Sequence, residues 1–201
     1  MPTAFLEPVA PPPLESVPHR KWTVCEIEEL ISKGWYPGDG YELIDGELID
    51  KKMGKNNPHV LSSKWVEEWL IAVFGFWRVH KEDPVSINER NEPEPDLTVL
   101  RVPVHELGRK PQPGDVLLVV EVAASSLAFD LSTKADLYAR AGIPDYWVLD
   151  INQRRMIVHR EPADGKYRSI IEYAEDENVS PLAAPQSEFR VGAAFAPTAE
   201  R

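Results

Sequence analysis

The sequence contains a single cysteine, Cys25, in 201 residues. A lone thiol excludes an internal disulfide and a zinc site built from several cysteines. Long apolar runs are also missing, and none approaches the roughly 18 residues that a membrane-spanning helix needs. The opening stretch "MPTAFLEPVAPPPLESVPHRKW" has neither the basic start nor the unbroken apolar centre of a secretory signal. The simplest expectation is a soluble, cytoplasmic protein with no membrane partner. Basic residues are the minority, 22 Lys and Arg against 33 Asp and Glu, for a formal net charge of -11. That balance disfavours sequence-blind binding to nucleic acid, which depends on neutralising phosphates. It leaves room for a deep site in which bound divalent cations reverse the local field. No glycine pattern of a phosphate-cradling loop occurs, and Gly38-Asp39-Gly40 is expected as a turn.

What is present suits a folded chain: 43% of the residues are hydrophobic, enough for a sizeable core. Prolines crowd residues 1–20 and favour an extended arm. Residues 21–195 are expected as a single domain and 196–201 as a tail. Thr23 and Glu26 have capping-box spacing at the head of a short helix with Val24, Ile27, Leu30 and Ile31 as its apolar side, and Gly34 suits its end. "YELIDGELIDKK" predicts a hairpin turning at Asp45-Gly46. From Asn57 to about Phe74, Val60, Leu61, Trp65, Val66, Trp69, Leu70 and Val73 recur at helical spacing. Strands are expected in "FWRVHK", "DLTVLRV", "DVLLVVEV", "IPDYWVLDI", "RRMIVHR", "KYRSIIEY" and "SEFRV", with a helix in "LSTKADLYARAG". The unbroken apolar run of "DVLLVVEV" predicts burial on both faces. The order implies an α/β fold with a central mixed sheet, N-terminal helices and a β-hairpin.

Four chemically useful side chains can converge in such a layout. Glu42 lies at the start of the hairpin, Asp96 opens "DLTVL", Glu121 is expected to close "DVLLVV", and Lys134 follows on the next helix. Carboxylates of this kind suit a hard divalent ion, while a lysine can orient water and offset charge developing on phosphate. A carboxylate after five apolar residues also needs a proton, an ion or a basic partner. Each has a structural alternative. Asp96 suits a turn cap. Glu121 suits a simple pair with Lys134. Asp130 and Lys134 suit an exposed i,i+4 pair, or Asp130 caps the helix and Lys134 points inward. Alternation turns Glu42 outward if Tyr41 and Leu43 pack inward. Asp145 is expected to support a strand entrance and Tyr146 and Trp147 to pack, while Ser125 and Ser126 either cap the helix or meet phosphate. Arg78, Lys81, Arg101 and the segment Gly108 to Lys110 could form a basic rim.

The segments "EPDLTVL", "LLVVEVAASS" and "FDLSTKADLYARAGIPDYWVLD" together resemble the Uma2 family, a branch of the PD-(D/E)XK nuclease-like superfamily. The resemblance runs from about Tyr41 through the later strands. It implies a restriction-endonuclease-like core and hydrolysis of DNA phosphodiesters with Mg2+, or Mn2+ in its place, leaving 5′-phosphate and 3′-hydroxyl ends. It implies catalytic roles for Glu42, Asp96, Glu121 and Lys134. The implied metal ligands are Asp96, Glu121 and Glu42 with the backbone carbonyl of Val122, and His59 in "NPHV" is an accessory. Ala123 stands where the superfamily places its lysine, and the resemblance implies that Lys134 supplies the ammonium group from the helix instead. Ala124 departs from the Asp or Ser common in the family, removing a hydrogen-bonding group beside the ligands. Enzymes that cut duplex DNA are often two-fold dimers, which adds a homodimer as an expectation. No small-molecule cofactor is implied. Two further functions stay open: a noncatalytic nuclease-fold interaction protein, which the net charge and Ala123 motivate, and a metal-dependent hydrolase of small phosphate esters.

Overall fold

The computed structural model describes residues 19–37, 40–51 and 57–196. Most of the proline-rich arm, Gly38 and Asp39 of the expected turn, and the tail from residue 197 lie outside the described residues. Helix α1 (Val24–Ser32) begins on the capping box: the Glu26 N–H donates to the Thr23 hydroxyl and the Thr23 N–H to the Glu26 carboxylate. Strands β1 (Tyr41–Ile44) and β2 (Glu47–Asp50) pair antiparallel across Asp45 and Gly46, whose φ angles of 47° and 78° make the left-handed turn this dipeptide favours. Only glycine fits the second position, since a Cβ there would lie 2.8 Å from Cβ of Lys21.

Helix α2 (Asn57–Phe74) follows, and Gly75, at φ 90°, ends it. The strand expected in "FWRVHK" is shorter than its sequence suggests. Phe76–Arg78 forms a 3-10 turn with Phe76 and Trp77 exposed, and only β3 (Val79–His80) enters the sheet, at its edge. The six-stranded sheet runs β3, β4 (Leu97–Leu100), β5 (Val116–Ala123), β6 (Asp145–Asp150), β7 (Arg155–Ala163) and β8 (Lys166–Ala174) in spatial order. Neighbours pair antiparallel except β5 and β6, which are parallel. A parallel pair requires a crossover. It is made here by α3 (Leu127–Phe129), a π turn over Asp130–Lys134, and α4 (Ala135–Arg140). Two short strands, β9 (Asn178–Val179) and β10 (Phe189–Arg190), pair separately.

All eight residues of β5 are buried, as its unbroken apolar run predicts. Leu118, Val120 and Val122 pack toward α2 with Val66, Leu70, Leu97, Trp147 and Leu149. Val119 and Ala123 join the opposite core with Ala135, Tyr138, Tyr146 and Val148. By alternation Glu121 faces that second side, under the crossover.

Candidate active site

Glu121 does not close its strand. The parallel ladder continues through Val122 and Ala123, so the carboxylate is held from within β5, opposite Val148 of β6. Apolar neighbours carry the strand past the polar residue because Val122 and Ala123 still have cores to fill. The β4 to β5 register pairs Leu97 with Val120, and one step further brings Asp96 opposite Glu121. There the Asp96 N–H points at Glu121 Oε2 (3.4 Å), and Asp96 Oδ2 accepts from the Val122 N–H at 2.8 Å. The second contact crosses the strand pair and fixes the Asp96 side chain beside the Glu121 backbone.

Glu42 arrives by a different route. Leu43 and Glu92 exchange backbone hydrogen bonds, docking the β1–β2 hairpin onto the segment before β4. The Glu94 N–H then donates to Glu42 Oε2 at 3.3 Å. Strict alternation would turn Glu42 to solvent beneath a one-sided hairpin, but Glu42, Leu43 and Ile44 are all buried. Strand β1 is covered on both faces, on the Glu42 side by Lys134 of the crossover.

Lys134 joins these elements. Its Nζ lies 2.9 Å from Glu121 Oε1, 3.0 Å from Glu42 Oε1 and 4.0 Å from Asp130 Oδ1, with the whole residue only 3% exposed. The pair Asp130 and Lys134 is therefore not an exposed i,i+4 pair: Lys134 points inward, as the second alternative expected, but Asp130 does not cap a helix. Asp130 lies inside the π turn, past the Ser126 cap position, and is buried with Lys134. The wider turn is held by the Ala135 N–H and by the Tyr146 hydroxyl at 3.0 Å, both donating to the Asp130 carbonyl. Such π turns recur at functional sites. Ala123 packs in the α4-side core, and the ammonium group beside Glu121 is that of Lys134.

His59, in the first turn of α2, sets Nε2 3.3 Å from Asp96 Oδ2. Two members of the cluster escape sequence reasoning. Asp130 is one; its spacing from Lys134 was the available signal. The other is Tyr138, whose hydroxyl donates to Glu121 Oε1 at 2.9 Å; one helical turn beyond Lys134 was its only sequence signature. Asp145 is buried at the start of β6, bound to Arg160, the Trp147 indole and the Leu182 N–H, a supporting role as expected. Tyr146 and Trp147 are fully buried in packing. Of the expected basic rim, Arg78 and Arg101 line one surface depression, while Lys110 binds Glu28 and Glu92, Lys81 binds Glu67, and Arg78 donates to the Leu100 carbonyl.

The electrostatics follow from one ammonium group among several acids. Burial pushes the Glu121 carboxyl up to about 8; Lys134 opposes that rise, while Asp96, Asp130 and Glu42 add to it. Burial likewise raises Asp130 to about 6, against the pull of Lys134. Lys134 moves up despite its own burial, because Glu121, Glu42 and Asp130 surround it. Burial would raise Asp96 too, but the His59 contact, the Val122 N–H and Lys51 hold it below the usual carboxylate range. Lys134 thus keeps its proton, and Glu121 is the acid that gives up its charge most readily.

A cleft of about 100 Å³ opens over this cluster, lined by Glu42, Lys51, His59, Glu121, Ser125, Ser126, Asp130 and Lys134 among others. Among the described residues, no three His, Cys, Asp or Glu side chains are spaced as a metal-binding cluster, and Glu42 and Glu121 each turn an oxygen to Lys134. The donor chemistry nonetheless fits a hard divalent cation. Every candidate ligand is an oxygen, the donor type that hard divalent cations take.

A model of the Uma2 family, described as "Putative restriction endonuclease", matches residues 27–193. Among solved structures, the chain is similar to a "putative nuclease belonging to DUF820" from Anabaena variabilis. The TM-score is 0.59 at 15% identity, covering 77% of this chain and 89% of that one. At that identity the likeness concerns the fold. No curated protein matches the chain. The family match spans most of the sequence and includes all four residues of the buried cluster that sequence reasoning singled out, and on that ground the chain belongs to the Uma2 family.

Proposed function

We propose that this protein is a divalent-metal-dependent endonuclease that hydrolyses DNA phosphodiester bonds in the cleft over β5. The observation that carries the reading is the convergence of Glu42, Asp96, Glu121 and Lys134, from a hairpin, two strands and a crossover, on one buried polar cluster beside a cleft. Asp96, Glu121 and Glu42, with the Val122 carbonyl, would hold Mg2+ or Mn2+. When bound, the cation supplies Lewis acidity and neutralises charge developing on the phosphoryl oxygens.

The protein's own groups perform the rest. The depressed pKa of Asp96 keeps it anionic at neutral pH, ready to bind a cation without first losing a proton. Glu121, high in pKa, exchanges a proton for the cation, so binding strengthens as pH rises toward 8. Lys134, freed from part of its contact with Glu42 and Glu121, orients the attacking water and offsets charge on the phosphate. His59 and Tyr138 are positioning residues: they hold Asp96 and Glu121 in place. The Ser125 and Ser126 hydroxyls at the cleft wall suit hydrogen bonds to phosphate oxygens.

The test is plasmid cleavage in Mg2+ by the purified protein and by Asp96→Asn. The variant is expected to fold and to lose activity by about three orders of magnitude, the scale on which removing one transition-state contact acts. Unchanged cleavage rejects the assignment. A second reading has its own observation: Lys134 already bridges Glu42 and Glu121, the arrangement of a purely structural ion-pair cluster. Under that reading neither cation binding nor cleavage occurs. A third comparison, small phosphodiesters beside plasmid and single-stranded DNA, separates a nuclease from a small-ester hydrolase.

A further inference from the structure

Strand β8 closes one edge of the main sheet, and among the described residues no strand pairs with its outer side. Edge strands are usually short, bulged or covered, because open backbone groups template pairing with another chain. β8 is nine residues long, and its centre is apolar and exposed, with Ile170 at 59% and Ile171 at 48%. Its sequence, KYRSIIEYA, places a basic and an acidic residue symmetrically about Ile170 when run antiparallel against itself. With Ile170 on a two-fold axis, Arg168 of one copy falls opposite Glu172 of the other, twice by symmetry. Ile170 then meets Ile170.

Both charged residues can make that exchange. Arg168 now touches Asp164 at 3.0 Å in an exposed pair, which contributes little. Glu172 touches Arg155 at 2.6 Å, but Arg155 also holds buried Asp150 at 3.0 Å and keeps that partner if Glu172 turns outward. Opposite charges set directly across an antiparallel pair stabilise it, and this register supplies two such pairs around an apolar centre.

We propose that β8 pairs with β8 of a second copy in this register, joining two six-stranded sheets into one two-fold dimer. The cleft over β5 lies seven strand spacings from its mate, about 34 Å at strand separations of about 4.8 Å. Each copy therefore keeps a complete site, and the proposal stands apart from the proposed chemistry.

Sedimentation velocity on the full chain tests it. The wild type is expected to sediment as a dimer of the 22.7 kDa chain. Arg168→Glu, which sets carboxylates opposite one another, is expected to raise the dimer dissociation constant at least tenfold, and adding Glu172→Arg to restore it. Circular dichroism verifies that each variant is folded. In a Cys25→Ser background, Ile170→Cys is expected to crosslink the dimer on oxidation with Cu(II)-phenanthroline, because directly opposed strand residues lie within disulfide reach. Leu182→Cys, exposed but off this strand, is expected not to crosslink. A wild type that stays monomeric overturns the proposal. So does a dimer indifferent to the charge reversal, or one that fails to crosslink through position 170.

Discussion

Glu121 is buried among other acids, and its folded pKa of about 8 stands well above the ordinary 4.5. A raised pKa contributes stability that is complete below the unfolded value and is lost as pH rises through the folded one. Between pH 5 and 9 the metal-free protein should therefore lose stability relative to Glu121→Gln, by on the order of a few kcal/mol. Urea denaturation at a series of pH values measures this, and parallel curves for the two proteins contradict it. Lys134 supplies the opposite case. Lys134→Met leaves Glu42, Glu121 and Asp130 without their shared cation, a loss of about 3–5 kcal/mol for a broken buried pair. Its melting temperature should fall, and Mg2+ should recover more of it than in the wild type. A melt that moves little in either condition would show that Lys134 does not hold the cluster. Asp96, Glu121 and Lys134 were legible as candidates because each is a charge set against, or just beyond, an apolar run of sequence. Tyr138 was not, because a buried tyrosine in a helix looks the same whether its hydroxyl binds a carboxylate or a carbonyl.

At the level of elements, the capping box of α1, the Asp45-Gly46 hairpin, the doubly buried β5 and the order of the strands were all readable from local patterns. The π turn was not. Its extra residue leaves no mark on a helical apolar pattern only a few residues long, and the result is that Asp130 joins the cluster rather than capping a helix. Alternation alone left Glu42 open between an outward and a site-facing position, because burial of its face of the hairpin depends on the distant crossover. The hairpin turn itself offers a test. Gly46→Ala forces a Cβ against Lys21 at positive φ and should cost roughly 1–3 kcal/mol. Because the same hairpin carries Glu42, activity in saturating Mg2+ should fall as well. Wild-type denaturation and activity in the variant would show that the turn does not position Glu42.

On the scale of the whole molecule, a chain of net charge -11 concentrates several of its acids where they repel one another, around a single lysine. Such an arrangement is unfavourable in isolation, and under the proposed function a divalent cation would relieve it and add a positive field toward a phosphodiester. No helix among the described residues is long and apolar enough to cross a membrane. The family and its fold were readable from "EPDLTVL", "LLVVEVAASS" and the segment around Lys134, whereas the spacing of the acids about the lysine required the three-dimensional arrangement. Calorimetric titration of the metal-free protein with Mn2+ at pH 7, beside Asp96→Asn, tests the central claim most directly. The account predicts saturable binding with proton release in the wild type, and binding weakened at least tenfold in the variant. Absence of saturable binding, or identical isotherms for the two proteins, would contradict it.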